Sequence, residues 1–338
     1  MAGSFYIAAG KKGTEVTQRA ESEALFGSVS RGDCDRLSDR DILIVDDDIK
    51  LLQRRSAFLK QKGWSVASYT FGKLNTLADR GALFLQHLKL EASIVTDRTG
   101  RLVKVLNNFE AKKDYSAELA ENSDLANLAR YRPSGKLGDL WAADVLYVAV
   151  RNHGILKLAE LRQHAYAYSD VLIAMRDFGW IDEQAVAPLL KLRLAKSLYR
   201  AGENNIPECY PNAWLDQAFS YLPLELQSSP AIMASPVAVL INARNLAESV
   251  PSYHRLRALE RALVALQTLG ISGSDHAAFV KLKSWIENPR AYASMATVNE
   301  KNLNRMFERV GRSLITKAGW DGAISLEVSQ RTATGWYR

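Results

Sequence analysis

The chain has 338 residues, 47% of them hydrophobic and 24% charged, with a formal charge of +7 at neutral pH. That length and composition belong to an ordinary globular protein with room for two domains and a core that needs no disulfides. No run approaches the ~18 consecutive apolar residues of a bilayer span and no secretory leader opens the chain, so a cytoplasmic protein without a membrane partner is expected.

The two cysteines, Cys34 and Cys209, stand far apart and outside any metal-ligand spacing. They point to a reducing compartment and away from structural zinc. The positive charge is spread along the chain without a lysine or arginine block, a balance that favours polyanionic ligands such as nucleotides or RNA.

In chain order, the polar residues 15–23 read as a helix leading into a short buried strand at 24–26. Gly27-Ser28 ends that strand, because glycine accepts backbone angles and close approach that other residues refuse. Residues 41–45 (Asp-Ile-Leu-Ile-Val), an aspartate followed by four continuous apolar residues, fit a central strand covered on both faces, paired with the first. Three aspartates at 46–48 end it and supply a cap for a helix over 49–63. A third strand is expected at 64–70, then one helix over 73–90 with His87 on its apolar face. An edge-like fourth strand follows at 93–96 and turns at 97–100.

Beyond residue 102 the strand signals stop and helical patterns take over, at 124–131, 138–152, 156–178, 185–201, 211–222, 252–270, 275–287 and 299–318. The stretch 252–270 is the cleanest amphipathic one, and no fixed-period repeat is present. The expected architecture is an α+β N-terminal domain at 1–104, a small mixed sheet with helices, followed by an all-α helical bundle at 105–338.

The densest chemistry lies between residues 26 and 45. Asp39 and Asp41 are two apart at the entrance of a strand, and a period of two sends both side chains to one face. Paired carboxylates relieve their repulsion by binding a hard divalent cation; Mg2+ prefers oxygen ligands and leaves places for phosphate oxygens and water. Gly27 and Ser28 would offer backbone N–H groups and a hydroxyl to a triphosphate, and Arg31 a planar donor for its charge.

The order Phe26-Gly27-Ser28, then Arg31-Gly32, then Ser38-Asp39-Arg40-Asp41 and an apolar strand resembles the signature of the polymerase-β superfamily of nucleotidyltransferases, especially its small prokaryotic branch. The likeness covers about residues 20 to 100. It implies a nucleotide site made by Gly27, Ser28, Arg31 and Ser38, with Asp39 and Asp41 as catalytic carboxylates holding Mg2+, or Mn2+ in its place. An NTP would be the substrate and its nucleoside monophosphate would pass to RNA, a protein side chain or a small molecule, with a toxin-antitoxin or antiphage setting and a partner protein suggested by the same branch. The helical domain would then close over the nucleotide or present the acceptor.

Members of that family carry a third carboxylate on the next central strand, whereas residues 64–70 (Trp-Ser-Val-Ala-Ser-Tyr-Thr) contain none. Another residue such as Glu91 or Asp97 takes the third place, or the enzyme is slow, or the fold has been kept for binding, as a catalytically silent nucleotide- or RNA-binding subunit of a larger complex. Arg80 and His87 have the separation of an arginine–histidine ribonuclease pair, but the apolar setting of His87 favours a packing role. His153 and His164 lack any catalytic spacing and read as structural or surface residues. A basic set at Arg193, Lys196 and Arg200 shares one helix face, where phosphate contact and simple solvation explain it about equally well.

Overall fold

The computed structural model describes residues 18–201, 213–227, 231–235, 238–239 and 252–268. The chain divides into two units, Met1–Lys112 and Lys113–Arg338. The first is mixed α and β, built on a small mixed sheet, while the second is mostly helical in its described residues. Among the described residues no helix is long and apolar enough to cross a membrane.

In the first unit, β1 (Ser22–Phe26), β2 (Asp41–Val45), β3 (Ser65–Tyr69) and β4 (Ser93–Asp97) form one sheet in the order β3-β2-β1-β4. β1 runs antiparallel to both β2 and β4, and β2 runs parallel to β3. The continuous apolar run of β2 has the reason expected of it. Ile42 and Ile44 pack with Leu51, Leu52 and Leu59 of α2 (Ile49–Gln61), while Leu43 and Val45 face the other way. There they meet Phe71 and Leu74 of α3 (Phe71–Asp79), Leu85 and Leu88 of α4 (Leu83–Glu91), and Leu102 and Leu106 of α5 (Arg101–Asn108). β4 is an edge, blunted by a bulge: Glu23 pairs with Thr96 but Ala24 with Ile94, which leaves Val95 out of register.

Local chemistry sets the element ends. Asp48 caps α2 by accepting from the N–H groups of Lys50 and Leu51 at 2.8 and 3.1 Å. Thr70 caps α3 through Lys73 N.

Several elements depart from the sequence reading. Residues 22–23 of the expected leading helix belong to β1, where Glu23 is held by Arg55 Nε and Nη2 at 2.8 and 2.9 Å; residues 15–17 lie outside the described ones. The single helix expected over 73–90 is two, α3 and α4, because Gly81 adopts a left-handed φ of 63° and ends the first. A Cβ at Gly81 would stand 2.9 Å from Lys112 N, so the break is also a close backbone approach. Arg80 and His87 therefore sit on opposite sides of a helix break. The expected boundary at 104 falls inside α5, whose Leu102 and Leu106 complete the core of the first unit.

The second unit is laid around α7 (Lys136–Glu160), whose Leu140, Trp141 and Leu146 are fully buried. α6 (Ser116–Arg130), α8 (Tyr168–Asp177) and α9 (Glu183–Ala201) pack on it. α10 (Ala213–Ser220) and a second helix, Ser252–Thr268, add to the same core through Leu215 and Val264. The expectation of helices alone is corrected here by a parallel pair of short strands, β5 (Tyr131–Pro133) with β6 (Ile232–Ala234). The expected helices at 275–287 and 299–318 lie outside the described residues.

Candidate nucleotide site

The register of β1 and β2 assembles the site. Phe26, the last residue of β1, pairs with Asp41, the first of β2, so the turn that follows β1 lies beside the strand that carries the carboxylate. Gly27 makes that turn with φ 65° and ψ −146°, a conformation essentially closed to residues with a side chain. A Cβ there would stand 3.1 Å from Asp41 Oδ2. The glycine therefore bends the chain and lets the turn approach the carboxylate more closely than a residue with a side chain would.

A single helical turn, α1 (Ser28–Arg31), follows and is closed by Gly32 in the left-handed region. Its backbone ladder begins with the N–H groups of Ser30 and Arg31 on Gly27 O, both at 3.1 Å, and the opening amides of a helix have no partner within it. Ser28 Oγ donates to Asp39 O at 3.4 Å and accepts from Cys34 Sγ, which folds the loop from 32 to 40 back over the turn. Ser38 stays within that loop, donating to Asp35 Oδ1 at 2.9 Å and accepting from Asp35 N.

β2 begins at Asp41, so the strand alternation invoked for both aspartates applies directly to Asp41 alone. Arg40 O accepts from Ser65 N at 2.8 Å and its guanidinium stacks 4.2 Å from the centroid of Trp64, which packs on the α2 side of the sheet. Alternation then sends Asp41 to the opposite side, with Leu43 and Val45. Asp39 is placed by its own main chain through Ser28. The structure thus brings Gly27, Ser28, Asp39 and Asp41 to one corner of the first unit.

Arg31 reaches a different set of partners. Its Nε donates to Asp33 Oδ2 at 3.1 Å and its Nη1 to Glu91 Oε2 at 2.5 Å. Partial burial works against its charge, but the bonds and charges of Asp33 and Glu91 outweigh that and hold the guanidinium above its ordinary pKa.

The two candidates for a third carboxylate separate. Glu91 ends α4 and is engaged by Arg31 and by His87 Nε2 at 2.9 Å. Asp97 pairs with Ser22, at the end of β1 away from Phe26 and so roughly 13 Å along the sheet from Asp41. It accepts from Ser22 Oγ at 2.7 Å and from the N–H groups of Leu102 and Val103, which makes it the anchor of α5. β3 offers Ser65 opposite Asp41 and no acid along its length.

The side-chain donors carried by Ser28, Asp39 and Asp41 are all hard oxygen, and Gly27 approaches Asp41 closely enough that a Cβ there would stand 3.1 Å from its Oδ2. Oxygen donors of this kind are the type that could hold Mg2+ or Mn2+. No family model, no curated protein and no solved structure matches the chain.

Sequence reasoning missed the His87–Glu91–Arg31 chain. The i, i+4 spacing of His87 and Glu91 was the available signal, since it puts both on one helix face. Their link to Arg31 joins residues 60 positions apart and needs the fold.

Proposed function

We propose that the first unit is a Mg2+-dependent nucleotidyltransferase that moves a nucleoside monophosphate from an NTP to an acceptor hydroxyl. The observation that carries this reading is the contact between Gly27 and Asp41, which joins a glycine-serine turn to a carboxylate-bearing strand. The acceptor hydroxyl gives up its proton to solvent as its oxygen attacks the α-phosphorus, the bond from that phosphorus to the bridging oxygen breaks, and pyrophosphate leaves.

The chain's own part is to bind and orient. The opening amides of α1 donate to the outer phosphates, joined by the Ser28 hydroxyl once its proton turns away from Asp39 O, and Arg31 sets a fixed positive charge beside them. Asp39 and Asp41 would hold the cation, which when bound neutralises phosphate charge and polarises the reacting phosphoryl group. The net charge of +7 suits a polyanionic substrate and, where the acceptor is RNA, a polyanionic acceptor. Resemblance to the small prokaryotic branch extends the proposal to a role in a toxin-antitoxin or antiphage system, with RNA, protein or a small molecule as acceptor.

Incubation with each labelled NTP, Mg2+ and cell extract tests the reading. Label should pass to an acceptor with the wild type and not with Asp39→Ala/Asp41→Ala. Nucleotide binding without transfer of any of the four would overturn the enzyme in favour of a second reading, a catalytically silent nucleotide-binding subunit of a larger complex. That alternative is favoured by one feature, the acid-free β3 with Asp97 at the far end of the sheet.

A further inference from the structure

Glu91 holds the α1 turn from behind. Its Oε2 accepts from Arg31 Nη1 at 2.5 Å and faces His87 Nε2 at 2.9 Å, with the Glu91 side chain only 17% exposed. The ring of His87 is itself fixed, buried and edge-on to Phe26 at 5.7 Å between centroids. A second tie lies two residues further on, where Ser93 Oγ stands 2.6 Å from Ser30 Oγ. The end of α4 and the start of β4 thus grip consecutive residues of the turn, Ser30 and Arg31.

We infer that Glu91 is a positioning residue for nucleotide binding, which holds Arg31 and the Ser28–Arg31 turn in the orientation that receives a triphosphate. This rests on the reading of the corner as an NTP site. A guanidinium has five N–H groups, and the bonds to Asp33 and Glu91 use one each at Nε and Nη1. The side chain is oriented without exhausting its donors. An arginine already fixed in place gives up little rotamer freedom when the phosphates arrive, so the tie strengthens binding by preorganisation. A carboxylate turned toward Arg31 and His87 does this work through Arg31, unlike one that holds a metal.

The experiment is equilibrium binding of non-hydrolysable NTP analogues with Mg2+ to the full chain. Glu91→Ala should weaken binding about tenfold, as expected for a lost orienting contact. Glu91→Gln keeps an oxygen acceptor for Arg31 and should stay within about threefold of wild type. In an Arg31→Ala background Glu91→Ala should have no further effect, a coupling that a merely structural role would not produce. Should the alanine variant fail to fold, Glu91→Met takes its place in the cycle, filling similar volume without an acceptor. Equal affinity of the Glu91→Ala and wild-type chains would overturn this role and leave the nucleotide site standing. Absence of binding by the wild type would overturn both. If turnover is lost in both the alanine and glutamine variants while affinity is unchanged, Glu91 belongs to the reacting centre and the positioning role falls.

Discussion

The Cβ that Gly27 lacks would stand 3.1 Å from Oδ2 of Asp41, so turn and strand fit together only because position 27 carries no side chain. Gly27→Ala meets two penalties there, the crowding and a φ of 65° with ψ −146°. Such backbone strain costs of order 1–3 kcal/mol. Urea unfolding should show a loss of that size, and affinity for an NTP analogue should fall with it. Wild-type stability and affinity in this variant would remove the close approach as a design feature of the site.

Gly138 makes a still closer approach in the second unit. Within a helix, glycine to alanine normally stabilises by up to ~1 kcal/mol. Here the new Cβ would stand 1.9 Å from Pro133 O and 2.7 Å from its carbon, both main-chain atoms that cannot swing aside. Overpacking should win, and Gly138→Ala is expected to lose about 1–3 kcal/mol or more. A melting temperature at or above that of the wild type would refute this.

Glu23 and Arg55 form a two-pronged ion pair, at 2.8 and 2.9 Å, between β1 and α2, with the Glu23 side chain 2% exposed. Removing one partner leaves the other charge buried, so Glu23→Ala should cost roughly 3–5 kcal/mol. The double variant Glu23→Leu/Arg55→Leu should recover much of that loss, since an apolar pair of similar volume avoids the uncompensated charge. Denaturant titration of the two variants checks it, and a double variant as unstable as Glu23→Ala, or more so, would contradict it.

His153 predicts a pH dependence. Burial pushes its pKa down to about 4, outweighing the nearby Glu225 carboxylate at 3.9 Å, which favours the charge. Below its unfolded value of about 6.5 the unfolded chain binds a proton that the folded chain refuses. Stability from this residue is therefore intact above pH 6.5 and declines as the pH falls toward 4, by roughly 3 kcal/mol in full. His153→Leu should flatten that part of the stability profile between pH 6.5 and 4. An unchanged slope would place the dependence elsewhere.

Much of the first unit was legible in the sequence because its signals are local. A continuous apolar run at 42–45 can only be satisfied by cover on both faces, and the aspartate at 48 caps its helix through N–H groups within three residues. The break at Gly81 was hidden: leucines at 74, 77, 85 and 88 keep a helical rhythm across it, and the left-handed turn is imposed partly by the passage of Lys112. β5 and β6 were hidden for another reason. Each has three residues, too few for a periodic pattern, and their pairing joins positions about a hundred apart.

The same division runs through the site. The sequence by itself determined which groups are present near residues 26–45: a glycine-serine turn, an arginine, and two carboxylates in front of an apolar strand. Spacing along a chain carries that much, because turns and strand ends are short-range structures. Only the tertiary structure decided which groups meet. Sheet register set Asp41 against Gly27 and carried Asp97 to the far end, while the packing of α4 turned Glu91 toward Arg31 and His87. Such partners are chosen by contacts between residues distant along the chain, and no local pattern records them.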